Sequence, residues 1–342
     1  MKPAPPKIDP TKRTLVPPPP EFSLKAARNV IHAFVLLLAV TLAFEVAAWF
    51  TASRRNLLAA CVRSGMQWVL THALNEGNKD VQLGREGWLF AQAEINRLAH
   101  AKRDANEVHA GLIKLAARLK AQETQLLVVA IPGRLALYPE QLRPGQYGGP
   151  VRLKDEAEKI AALKAAGMDV LDMTDALWEF RDREQIFFAQ DSHWTPEAMK
   201  AVALALNKHV REKFPRLAST ETPIINATIL ERADAGDLSR GLDPFQPSRL
   251  LGDEAADLVS IQGIEPDAQS TIVLHGGELM RVFDDPTLSF GGGDKPLRAG
   301  FATQLGTLLG RTLDVRGLPQ AGDAYENKKL VICLLPMAEL VP

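Results

Sequence analysis

Three short apolar runs constrain this chain more than any other feature. Leu126-Leu127-Val128-Val129-Ala130-Ile131, Thr271-Ile272-Val273-Leu274 and Lys329-Leu330-Val331-Ile332-Cys333-Leu334-Leu335 are continuous rather than alternating. Strands buried on both faces read this way, and they belong to parallel sheets covered by helices on each side. Helical patterns alternate with them, over residues 91–122, 152–166 and 297–311. Gly167 is a C-cap for the second of these. A further helix runs from Thr195-Pro196-Glu197 to about Lys213, with an N-cap threonine, proline at the first helical position and an acid near the positive end of the dipole. Asp169-Val170-Leu171-Asp172-Met173 and Gln185-Ile186-Phe187-Phe188-Ala189 read as two more strands. Gly84-Arg85-Glu86-Gly87-Trp88-Leu89-Phe90 is a turn entering a short strand. Residues 215–269 are irregular, and no strand is assigned there. The expected fold is a three-layer α/β sandwich with a parallel sheet over residues 84–342, its site beyond the carboxyl ends of the strands.

The first 83 residues differ in character. Eight of the 23 prolines lie in residues 1–20, and Lys2, Lys7, Lys12, Arg13, Lys25 and Arg28 face only Asp9 and Glu21. So little apolar surface cannot offset the entropy of ordering, and residues 1–28 read as a disordered, basic tail. Residues 30–50, VIHAFVLLLAVTLAFEVAAWF, are long enough as a helix to span about 31 Å, against a hydrocarbon core of roughly 30 Å. Residues 29–52 are therefore expected to be a transmembrane anchor, and residues 53–83 a connector. The basic tail favours a cytoplasmic amino terminus. The expected placement is a single-pass bacterial inner-membrane protein with its α/β domain in the periplasm.

Charge and composition narrow the partners. The 40 basic and 41 acidic residues give a net charge of −1, unlike the basic excess of a nucleic-acid binder. The two cysteines, Cys61 and Cys333, are too few for a four-cysteine zinc module; they either pair or stand as isolated thiols. Phe290-Gly291-Gly292-Gly293-Asp294 lacks the G-K-[ST] ending of a phosphate loop, and no cofactor is expected.

Two strand ends carry the chemistry. Asp191-Ser192-His193-Trp194 precedes a helix, and an acid two residues from a histidine can fix its tautomer and support it as a base. His275-Gly276-Gly277-Glu278 closes the strand at 271–274.

Four segments in order resemble the alginate O-acetyltransferase family, the AlgX/AlgJ-type SGNH hydrolase-like proteins. They are Gly84 to Phe90 (G-x-x-G-W-L-F), Ile131-Pro132 with Leu137-Tyr138-Pro139-Glu140, Asp191 to Thr195 (D-x-H-W-T), and the closing run Val331 to Leu340. The resemblance implies an SGNH-type fold, a membrane or periplasmic setting, and acetyl transfer to an exported polysaccharide through a Ser–His–Asp triad. Asp191 and His193 match the acid and base. The nucleophile's G-[D/T]-S turn corresponds to Gly276-Gly277-Glu278, so Glu278 stands at the serine position. Three readings follow. One is a family member without its nucleophile that binds polysaccharide or scaffolds an assembly. Another is an active transferase using Ser192 or Ser289. The third is a metal site built from Asp191, His193, His275 and Glu278. The implied partners are a polysaccharide, membrane-bound acetyl-donor or secretion-complex proteins, and the inner membrane through residues 29–52.

Overall fold

The structure, a computed structural model, describes residues 28, 31, 32, 34–40, 57–99, 106–219, 223–291 and 296–340. The chain divides into two compact units, residues 1–62 and 63–342.

The second unit holds a five-stranded parallel sheet and two small antiparallel pairs. In chain order the strands are β1 (Val81–Leu83), β2 (Leu89–Ala91), β3 (Gln125–Ile131), β4 (Asp169–Asp172), β5 (Asn226–Asp234), β6 (Glu254–Gln262), β7 (Ile272–Gly276), β8 (Asp314–Arg316) and β9 (Leu330–Pro336). The large sheet has the order β4-β3-β9-β7-β8, and every neighbour pair is parallel. The expected α/β sandwich is therefore present.

The continuous apolar runs serve both faces because successive side chains alternate across a strand. Leu127, Val129, Ile131, Ile272, Leu274, Ile332 and Leu334 join one core with Ala198, Val202 and Leu206 of the Pro196–Lys213 helix and Phe301 and Leu305 of the Phe301–Leu309 helix. Leu126, Val128, Ala130, Val273, Val331, Cys333 and Leu335 join the opposite core with Leu115 and Leu119 of the Asn106–Ala121 helix and Leu163 of the Glu156–Ala165 helix. Thr195 caps its helix as read from sequence, accepting from the Ala198 amide at 3.2 Å.

Three expectations are corrected. Residues 185–189 are not a sheet strand. Phe187 pairs only with Trp194, in an isolated antiparallel bridge. The Thr195 amide donates to the Ile186 carbonyl at 2.9 Å, so the chain folds back on itself and cannot join the parallel sheet. The irregular region contains the two nine-residue strands β5 and β6, paired antiparallel along their whole length. The third correction concerns the transmembrane anchor: among the described residues no helix is long and apolar enough to cross a membrane. Within 29–52, residues 31, 32 and 34–40 are helical and the others lie outside the described residues, as do residues 1–27. The single-pass inner-membrane placement, and the periplasmic assignment that depended on it, lose their support.

Candidate active site

The two strand ends singled out from sequence meet at the carboxyl edge of the sheet. His193 lies in the 188–194 loop before the Pro196–Lys213 helix. Its Nδ1–H donates to Asp191 Oδ1 at 2.6 Å, and its own amide donates to the same oxygen at 2.9 Å. The other carboxylate oxygen, Oδ2, accepts from the Asp237 amide at 2.8 Å. On the far side of the ring, Nε2 lies 3.8 Å from Glu278 Oε2. Glu278 follows β7 and Gly277 and opens a four-residue helix, and its side chain is 68% exposed. Asp191, His193 and Glu278 are thus brought together. His275 is not. Its Nδ1–H donates to the Gly317 carbonyl at 2.6 Å and its Nε2 accepts from the Tyr325 hydroxyl at 2.9 Å, toward the opposite core.

Neither serine considered from sequence reaches Nε2. The Ser192 amide and hydroxyl both donate to Asp237. Ser289 is buried, accepts from Arg240 Nη1 at 2.9 Å, and hydrogen-bonds the Asp191 carboxylate. Among the described residues, no serine hydroxyl hydrogen-bonds the His193 ring.

Arg134 and Glu254, which hold this loop in place, escaped the sequence reading. Arg134, buried just past the end of β3, donates through Nη1 to the Leu89 carbonyl and through Nη2 to the carbonyls of Phe188 and Asp191. Its guanidinium packs 5.4 Å over the Trp88 ring, which explains the Gly-Trp-Leu-Phe segment as a platform. Glu254 receives the amides of Ala189 and Gln190 at 2.8 and 2.7 Å. Gly236, at φ +81°, lies where a Cβ would be 2.3 Å from the Gln190 carbonyl oxygen, so only glycine permits this approach. The Gly236-Asp237-Leu238 turn therefore belongs to the site. An isolated charge directly after an apolar strand, as at Arg134, was the available signal.

Electrostatics follow from the packing. Burial favours a neutral His193. The hydrogen bond and charge of Asp191, with the charges of Asp237 and Glu278, outweigh it and raise the imidazole above 6.5. Burial would raise Asp191 too, but the His193 ring and amide and the Ser289 hydroxyl hold it well below the usual carboxylate range. Asp237 is pushed up by burial and by Asp191. Burial lowers Arg134, against the charges of Glu94, Asp237, Asp191 and Glu254.

A parallel sheet with an aspartate-bound histidine beyond its carboxyl edge is the arrangement of an α/β hydrolase-like domain. More particularly, the chain belongs to the family of the SGNH hydrolase-like domain of acetyltransferase AlgX, whose family model matches residues 81–310. It is 30% identical over 159 residues to the probable alginate O-acetylase AlgJ of Pseudomonas aeruginosa, covering 46% of this chain and 38% of that protein. The AlgJ of Pseudomonas fluorescens is 30% identical over 145 residues, covering 41% of this chain and 36% of its own. The chain thus spans less than half the length of these curated relatives. Among solved structures, the O-acetyltransferase domain of Pseudomonas putida AlgJ superposes with a TM-score of 0.59 at 20% identity, covering 76% of this chain and 91% of that one. Pseudomonas aeruginosa AlgX gives 0.52 at 16%, covering 75% and 62%. These two structures share the fold.

Proposed function

We propose that this protein acts in O-acetylation of an alginate-type polysaccharide, as a family member whose Asp191–His193 dyad faces Glu278 where acyl transfer needs a hydroxyl. Family membership and the names of its relatives support the polysaccharide setting. The observation that carries the finer reading is the 3.8 Å approach of Glu278 Oε2 to His193 Nε2.

In serine acyl transfer, this nitrogen takes the hydroxyl proton as the oxygen attacks the acyl carbonyl, and a stable ester forms. A glutamate side chain offers no hydroxyl of this kind. Its acyl adduct would be a mixed anhydride that water opens readily. The dyad therefore recognises an acetyl or sugar group without holding an acyl-enzyme, and a donor or secretion-complex protein supplies the transfer.

The test is acetyl-ester hydrolysis, measured in chelator, by the native protein, His193→Ala, Glu278→Ser, and the double variant. The native protein is expected to be silent. Glu278→Ser is expected to gain at least about tenfold over background, since a positioned base contributes on the order of a hundredfold or more, and to lose that gain with His193→Ala. Native hydrolysis that disappears in His193→Ala overturns the reading.

A further inference from the structure

We infer that Ser289, with Arg240 behind it, is a positioning residue of the Asp191–His193 dyad: its hydroxyl draws charge off the Asp191 carboxylate and so weakens that carboxylate's hold on the imidazole proton. The use of this in recognition rests on the reading proposed above.

The direction of the hydrogen bonds follows from the groups. Arg240 Nη1 donates to Ser289 Oγ at 2.9 Å, and a guanidinium can only donate. An ionised carboxylate can only accept. The single proton of the buried Ser289 hydroxyl therefore goes to Asp191.

The serine is held where this contact requires it. Phe290, the next residue, adopts φ +63°, a left-handed backbone rare for a bulky side chain. Its ring stacks at 4.2 Å on Phe188, in the loop that carries the dyad. Its amide donates to Asp234 Oδ2 at 3.4 Å. Asp234 also accepts from Arg240 Nη2 at 2.6 and 2.7 Å and from the Gly236 amide at 2.7 Å. One carboxylate at the end of β5 thus fixes the serine, the arginine and the turn leading to Asp237.

The chemistry follows from charge. The carboxylate oxygens of Asp191 and Asp237 already accept hydrogen bonds from the protein. Asp191, Asp237 and Glu278 all face His193 and favour the imidazolium. A hydroxyl polarised by Arg240 works against them through Asp191. Buried Arg134, which donates to the Asp191 carbonyl, acts in the same sense. The ring is brought nearer its neutral form, in which Nε2 accepts a hydrogen bond from a sugar hydroxyl.

The test follows the His193 ring protons by NMR through a pH titration of the full-length protein, Ser289→Ala, Arg240→Gln and the double variant. Each single variant should move the midpoint upward, by about half a unit. A packing role alone predicts the opposite, because a loosened loop lets the ring fall toward about 6.5, the value of an unperturbed histidine. The two rises should not add in the double variant, since Arg240 acts through the serine. The Arg240 side chain is half-exposed, so its variant carries the test should Ser289→Ala unfold. An unchanged or lowered midpoint in either folded variant overturns the inference, and an additive rise overturns the place of Arg240. The titration needs no ester or polysaccharide, so its failure leaves the acyl reading intact, and the converse also holds.

Discussion

His193 sits between two carboxylates, one bonded to each side of its ring or close to it. Asp191 is therefore the main support of the imidazolium, and Asp191→Asn should lower the His193 titration seen by NMR at its ring protons. An unchanged titration would refute that assignment. The two groups act on stability in opposite senses. His193 holds its proton more tightly in the folded chain, so its contribution is complete below about pH 6.5 and is lost as pH rises through the folded value. Asp191 contributes above about pH 3.9, and that part is lost as pH falls toward its depressed folded value. Arg134 is the other decisive residue. Arg134→Met strands three buried carbonyls and should cost about 3 kcal/mol in urea unfolding. The Asp-x-His pair was legible in sequence because its members are two residues apart. Arg134 was not, because its acceptors lie 45, 54 and 57 residues away and are backbone atoms that carry no sequence signature.

At the level of elements, the helix signals were plain and the loop signals were not. The Thr195 cap was readable, and Thr195→Ala should cost about 1 kcal/mol in the same measurement; its hydroxyl also donates to the Gln185 carbonyl at 2.6 Å. The turn at Gly236 is the sharper case. Gly236→Ala adds a Cβ at positive φ against the Gln190 carbonyl and should cost at least about 2 kcal/mol, because the Asp237 amide loses its place on Asp191. Intact stability in that variant would show that the loop is not held by this approach. The β5–β6 pair was invisible in sequence for a physical reason. Most of β5 is exposed, so no apolar alternation marks it. The 185–189 segment misled in the opposite way. Its apolar residues are buried, but under the loop that carries the dyad rather than in the sheet.

Across the whole molecule, the sheet was legible because its strands bury both faces, and the two cores divide their residues by simple alternation. The cysteines follow from that division. Both are free, with Cys61 exposed and Cys333 buried in the middle strand. Burial, then the charge of Asp323, pushes the Cys333 thiol up to about 12. A thiol reagent should modify one cysteine in the native protein and the second only on unfolding. Two fast-reacting thiols would contradict the buried position. The strand order β4-β3-β9-β7-β8 has a consequence for biosynthesis. β9, the last of the described strands in chain order, joins β3, which leads to Arg134, to β7, which leads to Glu278. A nascent chain still lacking residues 330–336 holds two unjoined half-sheets, with the platform for the histidine loop on one and the glutamate on the other. Within the sheet, the two sides of the site are therefore joined only once that strand is in place.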